Sequence, residues 1–457
     1  MRQFPFLNLL SSRPPQFKNS FVVVTAAIVA FWGLAVRIAL VFLSGNRQIS
    51  PFSGVGDQIR YLTLADSIFR GQGFSYAGQP TALRPPLYPL FLAVSQMVFG
   101  SHYPLAIRVF QLIIGIVITY MCFLLAENLF GVEAGAMAGA IALALPSLIL
   151  ISVELQTEQF ATLLTVLFLL FSLREIQEKN NGAVGMGITS GLAALIRFNC
   201  AILAIIGTIT CLWLRRSLKD GLLVSLVAGL IVAPWIARNM QVFHGKVFYS
   251  SHGGINLLEG VLTPDGRAQN GEDERVRAAV GWLHTDIEQN NSHRLLFASE
   301  EQLDRQARGA AIEAWKNLSW HSRFKLLGMK LVTFWFSKDQ LLDSSSFSPA
   351  QRKLRAIGVM IYWSVLALAL VGWVRLFSSS RIAALATAFY LGVVTSAHLL
   401  FVMNTRLRIP FADPLLAVLA GGGFCFLICK FQQRRERSKA LHLPRVAGIE
   451  GGLFRGH

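Results

Sequence analysis

Residues 134–173 read AGAMAGAIALALPSLILISVELQTEQFATLLTVLFLLFSL. Two apolar runs, Ala134 to Ile151 and Phe160 to Leu173, are parted by a short polar turn that holds Glu154 and Glu158. Neither run shows the polar stripe of a helix on the surface of a soluble domain; helices that are apolar all round belong in a core or a bilayer. A helix needs about 20 residues to cross the hydrocarbon, and runs of about that length recur outward from this pair. They are Phe21 to Leu43 and Pro104 to Ala126 before it, and Ala183 to Ile196, Ala201 to Leu214, Leu222 to Ala237, Ile357 to Val374, Ile382 to Met403 and Ile409 to Cys429 after it. The expected architecture is an all-α polytopic membrane protein with ten spans.

Composition agrees. Of 457 residues, 53% are hydrophobic and only 15% charged, whereas about a quarter of a soluble domain is charged. The net charge of +17 does not point to nucleic acid, because the basic residues sit in short segments beside the spans, where positive charge fixes orientation. Arg2, Arg13 and Lys18 precede the first span, Arg174 and Lys179 follow the fourth, and Arg215, Arg216 and Lys219 follow the sixth. Arg375 and Arg381 flank the turn after the eighth, and Lys430, Arg434, Arg435, Arg437 and Lys439 follow the tenth. Ten spans put all of these clusters on one side, which predicts an inner, cytoplasmic membrane with both termini inside. An extra span at Phe324 to Phe336 would put the basic tail outside, so that stretch reads as an interfacial helix. Cys122, Cys200, Cys211, Cys425 and Cys429 lie in or beside apolar runs, as small hydrophobes; they suggest neither a disulfide framework nor a metal cluster. Phe21 to Leu43 exceeds a signal-peptide core and is expected to stay as the first span.

The organisation follows from the spans. Residues 1–237 form an N-terminal membrane module whose first outer loop is 44–103; 238–355 form a second outer, helical region; 356–430 carry the last spans; 431–457 are a basic tail. In the first loop Asp57, Leu62, Ala65 and Phe69 predict a short amphipathic helix between Gly56 and Gly71, and Leu87 to Phe99 predicts a second, interfacial one. In the second, a polar turn-rich patch at Pro264 to Glu274 precedes a helix from Ser299 to Asn317. Gly135 with Gly139, and Gly187 with Gly191, are small-residue spacings that let helices approach closely.

Acids near a bilayer are costly, roughly 2.5–3.5 kcal/mol each at a helix centre, and tend to mark function. Glu154 and Glu158 share a helix face and would repel as two anions, so one of them must be protonated, solvated or facing a cation. Asp57 opens the first-loop helix; it can cap that helix, but Arg60 follows on the same face. Arg84 precedes a stiff Pro85-Pro86 backbone. Arg238 closes the seventh span, and Arg406 and Arg408 open the tenth. Arginine offers planar donor forks suited to phosphate oxygens, and arginines on the outer side run against the positive-inside tendency. His244 and His252 lie near the outer membrane edge and read as surface residues.

Gly56-Asp57 with Arg60-Tyr61 and Ala65, Gly71 with Gly73-Phe74, the run Pro80 to Ala93 through Arg84 and Pro85-Pro86-Leu87-Tyr88-Pro89, Arg108 with Gln111, Glu154 to Glu158, Pro234-Trp235 with Arg238-Asn239, and Arg406 to Pro414 occur in this order. The pattern resembles the GT-C class of polyprenyl-phosphate-sugar-dependent glycosyltransferases, in the family that groups protein O-mannosyltransferases with the aminoarabinose lipid A transferase. The resemblance implies a GT-C bundle, a polyprenyl-phosphate-linked sugar donor, a lipid, glycan or protein acceptor, and transfer with inversion at the outer face. It also implies Asp57 as the catalytic acid or base, with Arg60 and Arg84 on the donor phosphate and Arg238, Arg406 and Arg408 as further phosphate ligands. Glu158 and Glu154 would orient sugar or acceptor, or help hold a divalent cation. Gln58 stands where protein mannosyltransferases commonly carry an acidic pair, which leaves the acceptor open. The competing class is a transporter or flippase of lipid-linked sugars, which would place its ionisable groups nearer the midplane of broken helices.

Overall fold

The computed structural model describes residues 19–48, 56–76, 78–177, 182–262, 300–336, 349–401, 403 and 405–442. The N-terminal basic residues, the Pro264 to Glu274 patch and the end of the tail lie outside them. Each of the ten expected spans falls on helix. They are α1 (Ser20–Ser44), α4 (Tyr103–Phe130), α5 (Val132–Ala144) with α6 (Pro146–Leu150), α7 (Glu158–Ile176), α8 (Gly182–Ile196), α9 (Ile202–Leu214) and α10 (Leu218–Val242). After the outer region come α14 (Pro349–Ser379), α15 (Arg381–Leu399) and α17 (Asp413–His442). Among the described residues seven helices, one of them the continuous 87–130 stretch, are long and apolar enough to cross a bilayer; three more are apolar but shorter.

The first loop holds α2 (Gly56–Phe69), a two-stranded antiparallel hairpin of β1 (Ser75–Tyr76) and β2 (Gln79–Pro80), and α3 (Leu87–Phe99). Both helices occupy the residues expected to be helical. α3 meets α4 through Gly100, whose φ of 52° suits a residue without a side chain. The outer region supplies α11 (Gly253–Leu262), α12 (Glu300–Asn317) and α13 (Trp320–Phe336). α11 and α12 close a small core of Ile255, Leu258, Leu303, Ala307 and Ala311. α16 (Thr405–Arg408) is a single turn before α17.

Packing explains the small-residue spacings. Cβ atoms on Gly187 and Gly191 would press into Val227 and Ile231 of α10, and on Gly135 into Phe123 of α4. Outward, Leu218, Leu222, Leu226 and Leu230 form an exposed stripe on α10, the lipid-facing side of a helix that has its backbone satisfied internally.

α5 ends before Pro146, and its last carbonyls have no helical partner. Arg37 of α1 supplies one: its Nε donates to the Leu143 oxygen at 2.9 Å and its Nη2 to the Ala142 oxygen at 3.0 Å. The helices come this close because Gly33 lies against Leu143 and Ala144, where a Cβ would sit 2.8 Å from backbone atoms.

Candidate functional site

Between α6 and α7 the chain runs through buried, irregular turns at 151–157, and a buried loop must find partners for its polar backbone. The N-terminal part of α4 provides them. Arg108 Nε donates to the Val153 oxygen at 2.8 Å and its Nη1 to the Gly45 oxygen at 2.7 Å. Gln111 Nε2 donates to the oxygens of Ile151 at 3.1 Å and Glu154 at 2.8 Å. With the turn pinned, α7 starts at Glu158, and its carboxylate lies beneath two guanidiniums.

Arg406 donates to Glu158 Oε1 from Nη2 at 2.6 Å and from Nε at 3.1 Å. Arg197 Nη1 reaches the same oxygen at 2.8 Å and the Thr157 hydroxyl at 3.0 Å. Arg406 also donates to Gln156 Oε1. Glu158 is 1% exposed, while the Arg197 and Arg406 side chains are 14% and 20% exposed. The carboxylate therefore holds two donor forks that keep an edge toward the outside. Glu154, equally buried, finds no partner for Oε1 among the described residues. Burial first, with Glu158 adding and Arg406 opposing, raises its carboxyl to about 8, so it is protonated at neutral pH. The two acids escape mutual repulsion in different ways, one neutral and one paired, and the two arginines outweigh the single carboxylate by one positive charge.

The first loop comes to the same place through aromatic contacts. Tyr61 of α2 meets Tyr88 of α3 edge-on at 5.3 Å between centroids, and Tyr88 meets Phe160 of α7 at 5.7 Å. The Arg84 guanidinium lies over Tyr61, 5.7 Å from its centroid. Arg60, Arg84, Tyr76, Thr81 and His252 surround a cavity of about 20 Å³, the room of roughly one water. Asp57 occupies the first turn of α2, four residues before Tyr61; its side chain lies outside the described residues.

The remaining expected residues are placed differently. Arg408 is fully buried, paired with Asp413 at 2.8 Å, bonded to the Phe334 oxygen at 3.0 Å and laid over Tyr362 at 4.0 Å. Arg238 donates to the oxygens of Thr81 at 2.8 Å and Phe74 at 3.1 Å, among the rings of Phe74, Trp235 and Phe243. It fastens the first-loop hairpin to the end of α10. His252 is buried rather than on the surface, and His244 is exposed at the turn after α10. Arg197, central to the cluster, is the residue the sequence reading passed over.

A divalent cation fits poorly here. Among the described residues no group of three or more His, Cys, Asp or Glu side chains gathers, and Glu158 already faces two guanidiniums that would repel a metal ion.

Residues 83–237 match the profile of the family described as dolichyl-phosphate-mannose-protein mannosyltransferase; the matched stretch contains Arg84, Glu154, Glu158 and Arg197. Among solved structures, the oligosaccharyltransferase AglB from Archaeoglobus fulgidus, in complex with an inhibitory peptide and a dolichol-phosphate, is similar with a TM-score of 0.51 at 15% identity, covering 93% of this chain and 52% of that one. The A. fulgidus oligosaccharyltransferase tethered to an acceptor peptide containing the NVT sequon gives 0.53 at 16% identity, with the same coverage. ArnT from Cupriavidus metallidurans bound to undecaprenyl phosphate gives 0.37 at 16% identity, covering 86% of this chain and 77% of that one. A comparison with curated protein sequences returns no match. The chain spans about half the length of the oligosaccharyltransferases, and what it shares with them is the fold, a multi-pass bundle of apolar helices.

Proposed function

Taking that fold as premise, we propose that the chain is a membrane glycosyltransferase that moves a sugar from a polyprenyl-phosphate donor to a hydroxyl or phosphate acceptor on the outer side. The family match over 83–237 supports the reaction class. The observation that carries the reading is Glu158 beneath Arg197 and Arg406, at 2.8 and 2.6 Å, with both guanidiniums partly open to the outside. A pocket with one positive charge in excess suits a phosphate that gains charge as it departs, and such preorganised stabilisation often supplies the largest share of a rate enhancement.

In the proposed step the acceptor oxygen attacks the anomeric carbon as the bond from that carbon to the phosphate oxygen breaks, in a single displacement with inversion. The electron pair leaves with the polyprenyl phosphate, which Arg197 and Arg406 hold. The acceptor proton goes to Asp57 as general base. Arg60 and Arg84 meet the same phosphate from the first-loop side. Glu158 is a positioning residue that keeps the two forks parallel, and Glu154, protonated, donates a hydrogen bond to a sugar or acceptor oxygen. No step uses a metal.

The test is sugar transfer by purified protein in vesicles loaded with radiolabelled polyprenyl-phosphate sugars and mixed envelope acceptors. Asp57→Asn should abolish transfer while donor binding persists, and unchanged turnover would refute its role. Movement of intact donor across the vesicle wall without transfer would favour the transporter reading.

A further inference from the structure

A sizeable unexplained space lies at the other end of the bundle. α4 runs from Arg108, at the site, to Phe130, 22 residues on, which is about 33 Å at the helical rise. There, the end of α4, the first turn of α5, the last turns of α14 and the second half of α17 enclose a cavity of about 550 Å³. Its walls are apolar at Leu129 and Phe130, and its cations are Arg375 and Lys430. Both cations lie against one ring: the Arg375 guanidinium is 5.8 Å and the Lys430 ammonium 5.7 Å from the Phe426 centroid. Both therefore border the same space beside that ring. Among the described residues the one acid in the lining, Glu133, accepts the backbone N–H of Asn19 at 2.7 Å and so caps the start of α1.

A second observation says what kind of anion. A second, apolar groove of about 360 Å³ adjoins the cavity at Arg375 and Phe426, which line both, and runs along Leu370, Val371 and Val374. Leu370 and Val374 are exposed on α14, inside a stretch apolar enough to cross a bilayer. A charged pocket beside a hydrocarbon track suits a headgroup and a tail. Free phosphate would use the first and leave the second empty.

We propose that this end of the bundle binds an anionic glycerophospholipid, its phosphodiester between Arg375 and Lys430 and one acyl chain along Leu370 and Val374. Basic pockets between membrane helices take such headgroups, and the site is distinct from the sugar-transfer site. Lys430, Gln433 and Arg437 recur on one face of α17, which extends the positive charge toward the headgroup layer.

Native mass spectrometry of the full chain, released from mixed phosphatidylglycerol and phosphatidylcholine nanodiscs, tests it. The wild type should retain phosphatidylglycerol about tenfold over phosphatidylcholine. Arg375→Gln with Lys430→Gln should bring that ratio near one, while Arg434→Gln with Arg435→Gln, outside the cavity lining, should keep it. Val374→Trp, which fills the track and leaves the cations in place, should reduce retention of phosphatidylglycerol and provides a folded alternative if the double variant is unstable. Equal loss from the two double variants would reduce the effect to diffuse surface charge and overturn the proposal. Displacement of the lipid by inorganic phosphate at equal concentration would also overturn it, by making the anion alone the ligand.

Discussion

Arg406 and Arg408 stand two residues apart on one helical turn and belong to different kinds of place. Arg408 has one acid, Asp413, at 2.8 Å, and both side chains are fully buried. Arg406 shares its acid, Glu158, with Arg197, and both arginines keep an edge exposed. The first cluster is balanced, closed and saturated by Tyr362 and the Phe334 carbonyl; the second carries excess charge and an open side. Charge balance and exposure, rather than the presence of an ion pair, separate the buried fastening from the cluster for which we propose an anion-binding role.

Mutation can break this comparison from either side. The largest effect should come from Asp413→Asn or Arg408→Leu alone, since removing one partner of a buried pair costs about 3–5 kcal/mol; the expected outcome is little folded protein in size-exclusion chromatography. Replacing both partners with apolar residues, as in Arg408→Met with Asp413→Leu, should recover folded protein. Next is Arg406→Gln, which should leave folding intact and lower sugar transfer by about 10²–10³-fold, the usual effect of removing one preorganised donor; a stable protein with normal turnover would merge the two clusters into one structural class. Arg197→Lys keeps the charge and loses the fork, so the donor KM should rise about tenfold with kcat less affected.

The smallest effect concerns Glu154. Its carboxyl is raised to about 8 in the folded chain, from an ordinary value near 4.5. The folded state therefore holds a proton that the unfolded chain releases between those values. Its contribution to stability is complete below about 4.5 and is lost as pH rises through about 8. Thermal unfolding midpoints should fall across that window, and Glu154→Gln should flatten the decline.

Much of this was legible in the residues. The spans are written in apolar runs, and the helix at 87–99 has the ends the sequence suggests. Glu154, Glu158 and Arg406 were visible as charges at span ends. The different fates of Arg406 and Arg408 were not, because residues two apart on a helix point about 200° away from each other and a one-turn helix offers no pattern to show which faces the core. Arg197 left a fainter mark. It lies between two short apolar runs, and the ten-span count puts it on the outer side, against the positive-inside tendency; that conflict was the available signal. His252 read as a surface residue because nothing in its neighbours reports that it shares a cavity with Arg60, Tyr76, Thr81 and Arg84 of the distant first loop.

Arg37 also constrains how the chain is built. The bend before Pro146 leaves the oxygens of Ala142 and Leu143 bare in hydrocarbon until that guanidinium arrives from α1. During synthesis the donor emerges about a hundred residues ahead of the carbonyls it serves, so the first span must linger beside the insertion machinery while α2 to α5 are delivered. A chain whose first span drifted away early would complete its remaining spans around an exposed kink, and quality-control proteases would meet it there.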